Sequence, residues 1–116
     1  MRNDKDNLIV NKSFLFALEI VKFCELLEEN RKFVIARQLL RSGTSIGYNV
    51  REAQNAESKA DFVHKIKIAA KEADETEYWL MIYKHSQSYP FNEQLVTEVA
   101  EIIKILSKII STSKTN

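Results

Sequence analysis

Histidine, the commonest metal ligand in proteins, occurs only twice in this 116-residue chain, and neither copy is well placed to bind a metal. Metal-binding helical bundles hold their ions with Glu-x-x-His pairs, in which both side chains project from one turn of helix. The only histidines are His64 and His85, and the residues three positions before them are Asp61 and Ile82. This spacing predicts no metal site.

Candidates for catalysis are equally weak. Glu72 and Glu75 are of the types needed for an acid and base pair, but carboxylates one helical turn apart more often form a solvated or salt-bridged face. Ser42 and Ser45 have no histidine at nearby helical spacing to activate them. No glycine-rich phosphate loop is present. The sequence therefore predicts no catalytic residues, no cofactor and no enzymatic activity.

Positive charge is spread along the chain instead of forming one basic arm. The formal net charge is +1 and the sequence pI is about 7.8, below the value of about 9 typical of basic nucleic-acid-binding domains. Phosphate contact requires clustered lysine or arginine. Candidates for such contact are Arg31, Lys32, Arg51, Lys59, Lys65, Lys67 and Lys71.

The composition indicates one helix-rich domain over residues 1–116. Hydrophobic residues make up 45% of the chain and charged residues 28%, with only two Gly and one Pro, so few turns are expected. The lone Cys24 lies in an apolar run, where a small buried side chain is expected. The charged segment at residues 1–7 does not resemble a signal peptide, and no apolar run approaches the roughly 18 residues of a membrane span. We expect a cytoplasmic protein that makes no membrane contact.

Apolar residues recur every three or four positions in four segments, which is the spacing of amphipathic helices. The pattern predicts helices over about 11–29, 33–54, 59–85 and 92–110, with Ser58 capping the third and Pro90 separating the last two. Gly43 and Gly47 each cost about 1 kcal/mol inside a helix, so a break near 42–45 is the alternative to one continuous second helix. Short connections predict an all-α, antiparallel up-and-down four-helix bundle.

More apolar surface is present than four core stripes require. The first helix carries leucines outside its main stripe, and the third has bulky apolar residues among its charges. Large exposed apolar surfaces usually mark interfaces, so we expect a homo-oligomer. The interface candidates are Leu15, Leu18, Leu26, Ile68, Trp79, Ile82 and Ile105.

A polar seam is predicted between the second and third helices. In an antiparallel hairpin that turns near 56–58, facing residues have numbers that sum to about 113 or 114. Arg41 then faces Glu72 in a partly buried ion pair that sets the helix register, Asn49 faces Lys65, and Lys65 is within reach of Glu52. The seam comprises Arg41, Ser45, Asn49, Glu52, Lys65 and Glu72.

The run from Ala36 to Leu80, which reads ARQLLRSGTSIGYNVREAQNAESKADFVHKIKIAAKEADETEYWL, resembles the 23S rRNA intervening-sequence proteins, also called four helix bundle proteins. The resemblance implies a bacterial up-down bundle that assembles as a ring-like homopentamer with no established activity. Tyr48 stands where the family more usually has a small residue. A related group, the accessory proteins of diversity-generating retroelements, is thought to bind nucleic acid, and its members are strongly basic.

We therefore expect a non-enzymatic, self-assembling helical scaffold that acts through protein partners. The alternative is an RNA-associated accessory protein, in which the basic residues above would contact phosphate.

Overall fold

The computed structural model describes residues 7–114, which form four helices: α1 (Leu8–Glu29), α2 (Phe33–Gln54), α3 (Lys59–Lys84) and α4 (Glu93–Lys114). The segment judged for a signal peptide falls almost wholly in residues 1–6, outside this range. Helix α2 runs unbroken through both glycines. Helix α1 begins at Leu8 instead of about 11, and α4 continues to Lys114 instead of ending near 110.

A side-chain cap explains where α1 begins, and backbone hydrogen bonds explain how it ends. The Asn7 Oδ1 atom accepts a hydrogen bond from the Val10 amide at 3.3 Å, which satisfies one of the free amides at the helix start. At the other end Arg31 adopts φ 61°, and the Lys32 amide donates to the Leu27 carbonyl at 2.8 Å. This is a Schellman ending with arginine at the left-handed position that usually favours glycine.

The two later helices also begin at polar caps. Ser58 Oγ accepts from the Asp61 amide at 3.0 Å, while Asp61 Oδ2 accepts from the Glu57 amide at 3.1 Å. The pair acts as a capping box displaced by one residue. Asn92 Oδ1 accepts from the Gln94 and Leu95 amides at 3.0 and 3.3 Å, and so starts α4.

The helices pack as an antiparallel up-and-down bundle with extents of 48 × 22 × 21 Å. Within residues 7–114, each helix packs along its two neighbours in the order α1, α2, α3, α4 and back to α1. The diagonal helices α1 and α3 meet through side chains in the core, where the ring centres of Phe23 and Tyr83 lie 6.1 Å apart. The predicted all-α fold class is therefore confirmed. None of the helices in this range has an apolar stretch long enough to cross a bilayer.

The core is a continuous apolar cluster from all four helices. Its residues follow helical spacing, with Phe16 and Ile20 on α1 and Ile102 and Leu106 on α4 fully or almost fully buried. The buried Tyr83 hydroxyl donates to the Ile35 carbonyl at 2.9 Å, which satisfies its polar end and ties α3 to the start of α2.

Helix α2 uses its glycines to approach α1. A Cβ atom added at Gly43 would lie 2.8 Å from Ile20 Cγ2, and one added at Gly47 would lie 3.2 Å from the Ser13 carbonyl oxygen. Packed interiors leave no room for such overlaps. The helix-propensity cost of the glycines is thus offset by close packing between α1 and α2.

Replacement of Gly43 by alanine is expected to lower the free energy of unfolding by about 1–3 kcal/mol, because overlap with Ile20 outweighs the gain in helix propensity. Urea unfolding measures this change. In an Ile20→Ala background the overlapping atoms are gone, so Gly43→Ala should then be neutral or stabilising. Equal losses in both backgrounds would show that the two residues do not interact.

Candidate functional site

The most elaborate polar cluster in the described chain lies across the α2–α3 seam and centres on Arg41. Its Nη1 atom is 3.1 Å from Glu72 Oε1, and its Nη2 atom contacts Glu75 Oε1. The Glu75 Oε2 atom accepts a hydrogen bond from Trp79 Nε1 at 3.0 Å. One guanidinium therefore holds two carboxylates that lie one turn apart on α3.

This cluster lies at the rim of the seam. The Arg41 side chain is 49% exposed and that of Glu72 is 20% exposed, so the carboxylate is the more buried partner of the pair. The long arginine side chain reaches around the edge of the seam and keeps its charge in water. Pairs of this exposure contribute about 1 kcal/mol or less.

Hydrogen bonding shifts the ionisation of both partners. The pKa of Glu75 is lowered, first because Arg41 donates a hydrogen bond to its carboxylate and second because Trp79 donates another. The pKa of Arg41 is raised, chiefly by the hydrogen bond to Glu75. Both groups are therefore held in their charged forms.

Only some of the other residues predicted for the seam contact each other across it. Lys65 Nζ lies 3.9 Å from Glu52 Oε1. Ser45 donates instead within its own helix to the Arg41 carbonyl at 2.7 Å, and Asn49 donates to the Ser45 carbonyl at 2.9 Å. Asn49 and Lys65 share no hydrogen bond among the described residues, because short polar side chains find a carbonyl four residues back before they reach a neighbouring helix.

Sequence reasoning missed a buried hydroxyl pair beside this seam. Ser42 Oγ and Thr76 Oγ1 share a hydrogen bond of 2.9 Å, and both side chains are fully buried. Thr76 Oγ1 also lies 2.7 Å from the Glu72 carbonyl oxygen. Both residues occupy core positions of their helices, and that spacing was the available signal, because a buried hydroxyl needs a partner.

The remaining chemical candidates do not converge. His64 and His85 are both exposed, near opposite ends of α3. Within residues 7–114 no three His, Cys, Asp or Glu side chains are grouped to hold a metal ion. Glu72 and Glu75 are occupied by Arg41 and do not face an open cavity as a free pair.

The basic candidates separate into two groups, one at the α1–α2 turn and one that extends from the end of α2 along the first half of α3. Arg31 and Lys32 lie at the α1–α2 turn, where Lys32 Nζ stands 4.7 Å from the centre of the Tyr89 ring. Helix α2 separates this turn from Arg51 by roughly 30 Å. The second group comprises Arg51, Lys59, Lys65, Lys67 and Lys71.

The interface candidates fall into two classes. Leu15, Leu18 and Leu26 on α1 are exposed. Trp79, Ile82 and Ile105 are half-buried and pack against the protein's own core, while Ile68 is half-buried on α3. The surplus apolar surface that the sequence indicated on α3 and α4 is therefore partly buried within the monomer.

Comparison with known proteins agrees with this architecture. The family described as 23S rRNA-intervening sequence protein matches residues 5–111. The chain belongs to this family. A crystal structure of a protein of unknown function from the S23 ribosomal protein family of Bacteroides thetaiotaomicron is similar to it, with 44% identity and a TM-score of 0.84. That alignment covers 89% of this chain and 98% of the Bacteroides chain. No curated protein matches significantly.

In this member of the 23S rRNA-intervening sequence protein family, the single free cysteine is buried. Cys24 Sγ donates to the Ala36 carbonyl at 3.4 Å. Burial raises the pKa of the Cys24 thiol to about 12, and the nearby Glu28 carboxylate adds to the rise. The thiol is therefore protonated and unreactive near neutral pH.

For Arg41→Ala we expect a loss of about 1 kcal/mol in the free energy of unfolding near neutral pH, reduced at high salt. Because the pKa of Glu75 is lowered in the fold, its contribution is present above the unfolded carboxyl pKa of about 4.3 and disappears as the pH falls through the lower folded value. Urea unfolding as a function of pH measures this change.

The exposed Glu19–Lys22 pair, whose charged atoms are 3.8 Å apart, provides the control. Lys22→Ala should have little effect at any pH. If Arg41→Ala and Glu75→Ala lower stability by amounts that simply add in the double variant, the two side chains are independent surface charges.

The thiol of Cys24 should react with a disulfide reagent near pH 8 at least about a hundredfold more slowly in the folded protein than in urea. Since the folded pKa is raised, the thiol's contribution to stability is present below the ordinary value of 9.0 and is lost as the pH rises towards about 12. Rapid labelling of the folded protein would contradict this account. Thermal unfolding of Cys24→Ala, which cannot ionise, should lack that alkaline loss.

Proposed function

We propose that this chain is a non-enzymatic, cytoplasmic helical scaffold that assembles with copies of itself and acts through protein partners. The observation that carries the proposal is the apolar outer surface of α1. Leu15 is 60% exposed, and Leu18, one turn further along α1, and Leu26, about two turns beyond it, are also open to solvent. Exposed apolar surface of this kind usually marks an interface.

The position of the apolar residues favours a ring. The α1 patch, defined as Leu15, Leu18 and Leu26, lies on one side of the bundle, while Ile68 and Trp79 belong to α3, the diagonally opposite helix. A two-fold dimer joins one patch to itself, whereas two different complementary patches join subunits head to tail, which builds a ring where the rotation closes. The resemblance to the intervening-sequence proteins implies five subunits.

A buried polar atom beside the α1 patch supports the same interface. Glu98 Oε1 is buried and has no hydrogen-bond partner among the described residues. Glu98 lines a groove between α1 and α4 together with Leu15 and Leu18. A lysine or arginine from a neighbouring subunit would satisfy this oxygen as its apolar side chains cover the leucines.

The chemistry of the described side chains supports a non-enzymatic role. Glu72 and Glu75 are bound by Arg41, and Ser42 is bound to Thr76. Catalytic acids, bases and nucleophiles need an accessible position beside a substrate. The nucleic-acid alternative has less support, because the basic candidates lie in two separated groups.

Light scattering behind a sizing column should give the wild-type protein a native mass about five times that of the 13.5 kDa chain. The variant Leu18→Glu should dissociate to monomers at micromolar concentration, because it would bury an unpaired charge. Val34→Glu is the control, since Val34 is exposed at the start of α2, outside the α1 patch. A wild-type monomer at that concentration would refute self-assembly.

A further inference from the structure

A groove of about 410 Å³ runs between α1 and α2 and is separate from the α1 patch. Phe14 and Tyr48 line it, with Ala17 and Gly47 among the small residues between them. Leu15 and Leu18 instead line the groove on the α4 side of α1. The two surfaces therefore occupy different flanks of the same helix.

Two aromatic rings stand open at this groove. Phe14 is 61% exposed and Tyr48 is 62% exposed. Neither ring takes part in the aromatic contacts found among the described residues, which involve Phe23, Tyr78 and other rings. Exposed rings beside a groove offer faces on which a flat aromatic ligand can stack.

The floor of the groove is low because the two helices approach closely there. A Cβ atom at Gly47 would meet the Ser13 carbonyl oxygen at 3.2 Å, so no side chain fills the space above this contact. The groove can therefore receive a flat group between Phe14 and Tyr48 without displacing protein atoms.

The charge that lines the groove is of one sign, positive. Arg51 is the only charged side chain that lines it. Arg51 takes part in none of the ion pairs formed by the described residues, and its side chain is exposed. A guanidinium that pairs with no carboxylate of residues 7–114 suits a phosphate, to which it can donate two hydrogen bonds.

The hydroxyl of Thr44 favours a ligand that can donate a hydrogen bond to it. Thr44 Oγ1 donates its proton to the Leu40 carbonyl at 2.7 Å, so towards the groove it can only accept a hydrogen bond. The exocyclic amine of a nucleic-acid base is a donor of the required kind.

We propose that this groove binds a nucleotide, with the base stacked on Tyr48 and Phe14 and the phosphate held by Arg51. The ligand chemistry is a flat base joined to a phosphate, which either a free nucleotide or one nucleotide of a single strand supplies. This site does not depend on the proposed self-assembly, because it uses the α2-facing flank of α1.

Equilibrium dialysis with adenosine 5′-monophosphate at low salt tests the site. We expect saturable binding of one nucleotide per chain with a dissociation constant below about 1 mM. Tyr48→Ala should weaken binding of both the nucleotide and adenosine about tenfold, because the stacking face is lost. Arg51→Gln should weaken binding of the nucleotide about tenfold and leave that of adenosine unchanged.

Matched controls keep these changes specific. Tyr78 is a tyrosine of nearly equal exposure, 61%, on α3, and Arg37 is an exposed arginine of α2 that does not line this groove. Tyr78→Ala and Arg37→Gln should bind the nucleotide as the wild type does. All four residues are exposed, so folding of the variants is checked by unaltered circular dichroism and thermal unfolding.

Absence of saturable nucleotide binding up to about 10 mM would overturn the proposal. Binding that survives both Tyr48→Ala and Arg51→Gln would also overturn it. A change of native mass in Tyr48→Ala would overturn it as well, because the groove would then be a contact between subunits. A single-stranded octanucleotide of adenylate distinguishes the sources of ligand. Tighter binding of the octanucleotide that depends on Tyr48 indicates a single strand, and equal affinity indicates the free nucleotide.

Discussion

The structure depends on the close approach of α1 and α2 at Gly43 and Gly47. Ile20 fills the space that a side chain at Gly43 would need, and the Ser13 backbone occupies the space beside Gly47. Because the two helices approach so closely, α1 buries its inner apolar stripe, and its leucine-rich outer surface stays uncovered. The same approach keeps the floor of the α1–α2 groove low between Phe14 and Tyr48.

The α2–α3 seam is held differently, by polar groups at two depths. The hydroxyls of Ser42 and Thr76 meet in the core, and Arg41 spans to Glu72 and Glu75 at the rim. A buried hydroxyl pair tolerates little displacement because separation would leave both groups unsatisfied. The rim charges contribute little stability in water, but they disfavour registers in which like charges meet. The seam therefore combines tight packing with a defined axial position.

The features on which the proposed function rests lie on the surface of this family member. Glu72, Glu75 and Ser42 are engaged in structural contacts, and the thiol of Cys24 is kept protonated by burial. Exposed apolar and aromatic side chains instead mark two flanks of α1. A narrow bundle gives one helix two such flanks because each helix packs along two neighbours and leaves its outer surface open.

The sequence alone determined the four helices, since apolar periodicity, the Ser58 cap and Pro90 are local signals that act within a few residues. It also indicated that Arg41 pairs with a residue of α3. In two antiparallel helices with the same rise per residue, each position on one helix lies level with a fixed position on the other. Only the tertiary structure decided that Arg41 takes two carboxylates, that Ser42 meets Thr76, and that Phe14 lies across a groove from Tyr48. Those contacts depend on the rotation of each helix about its axis and on side-chain rotamers, which are set when the whole core packs together and not by any local stretch of the chain.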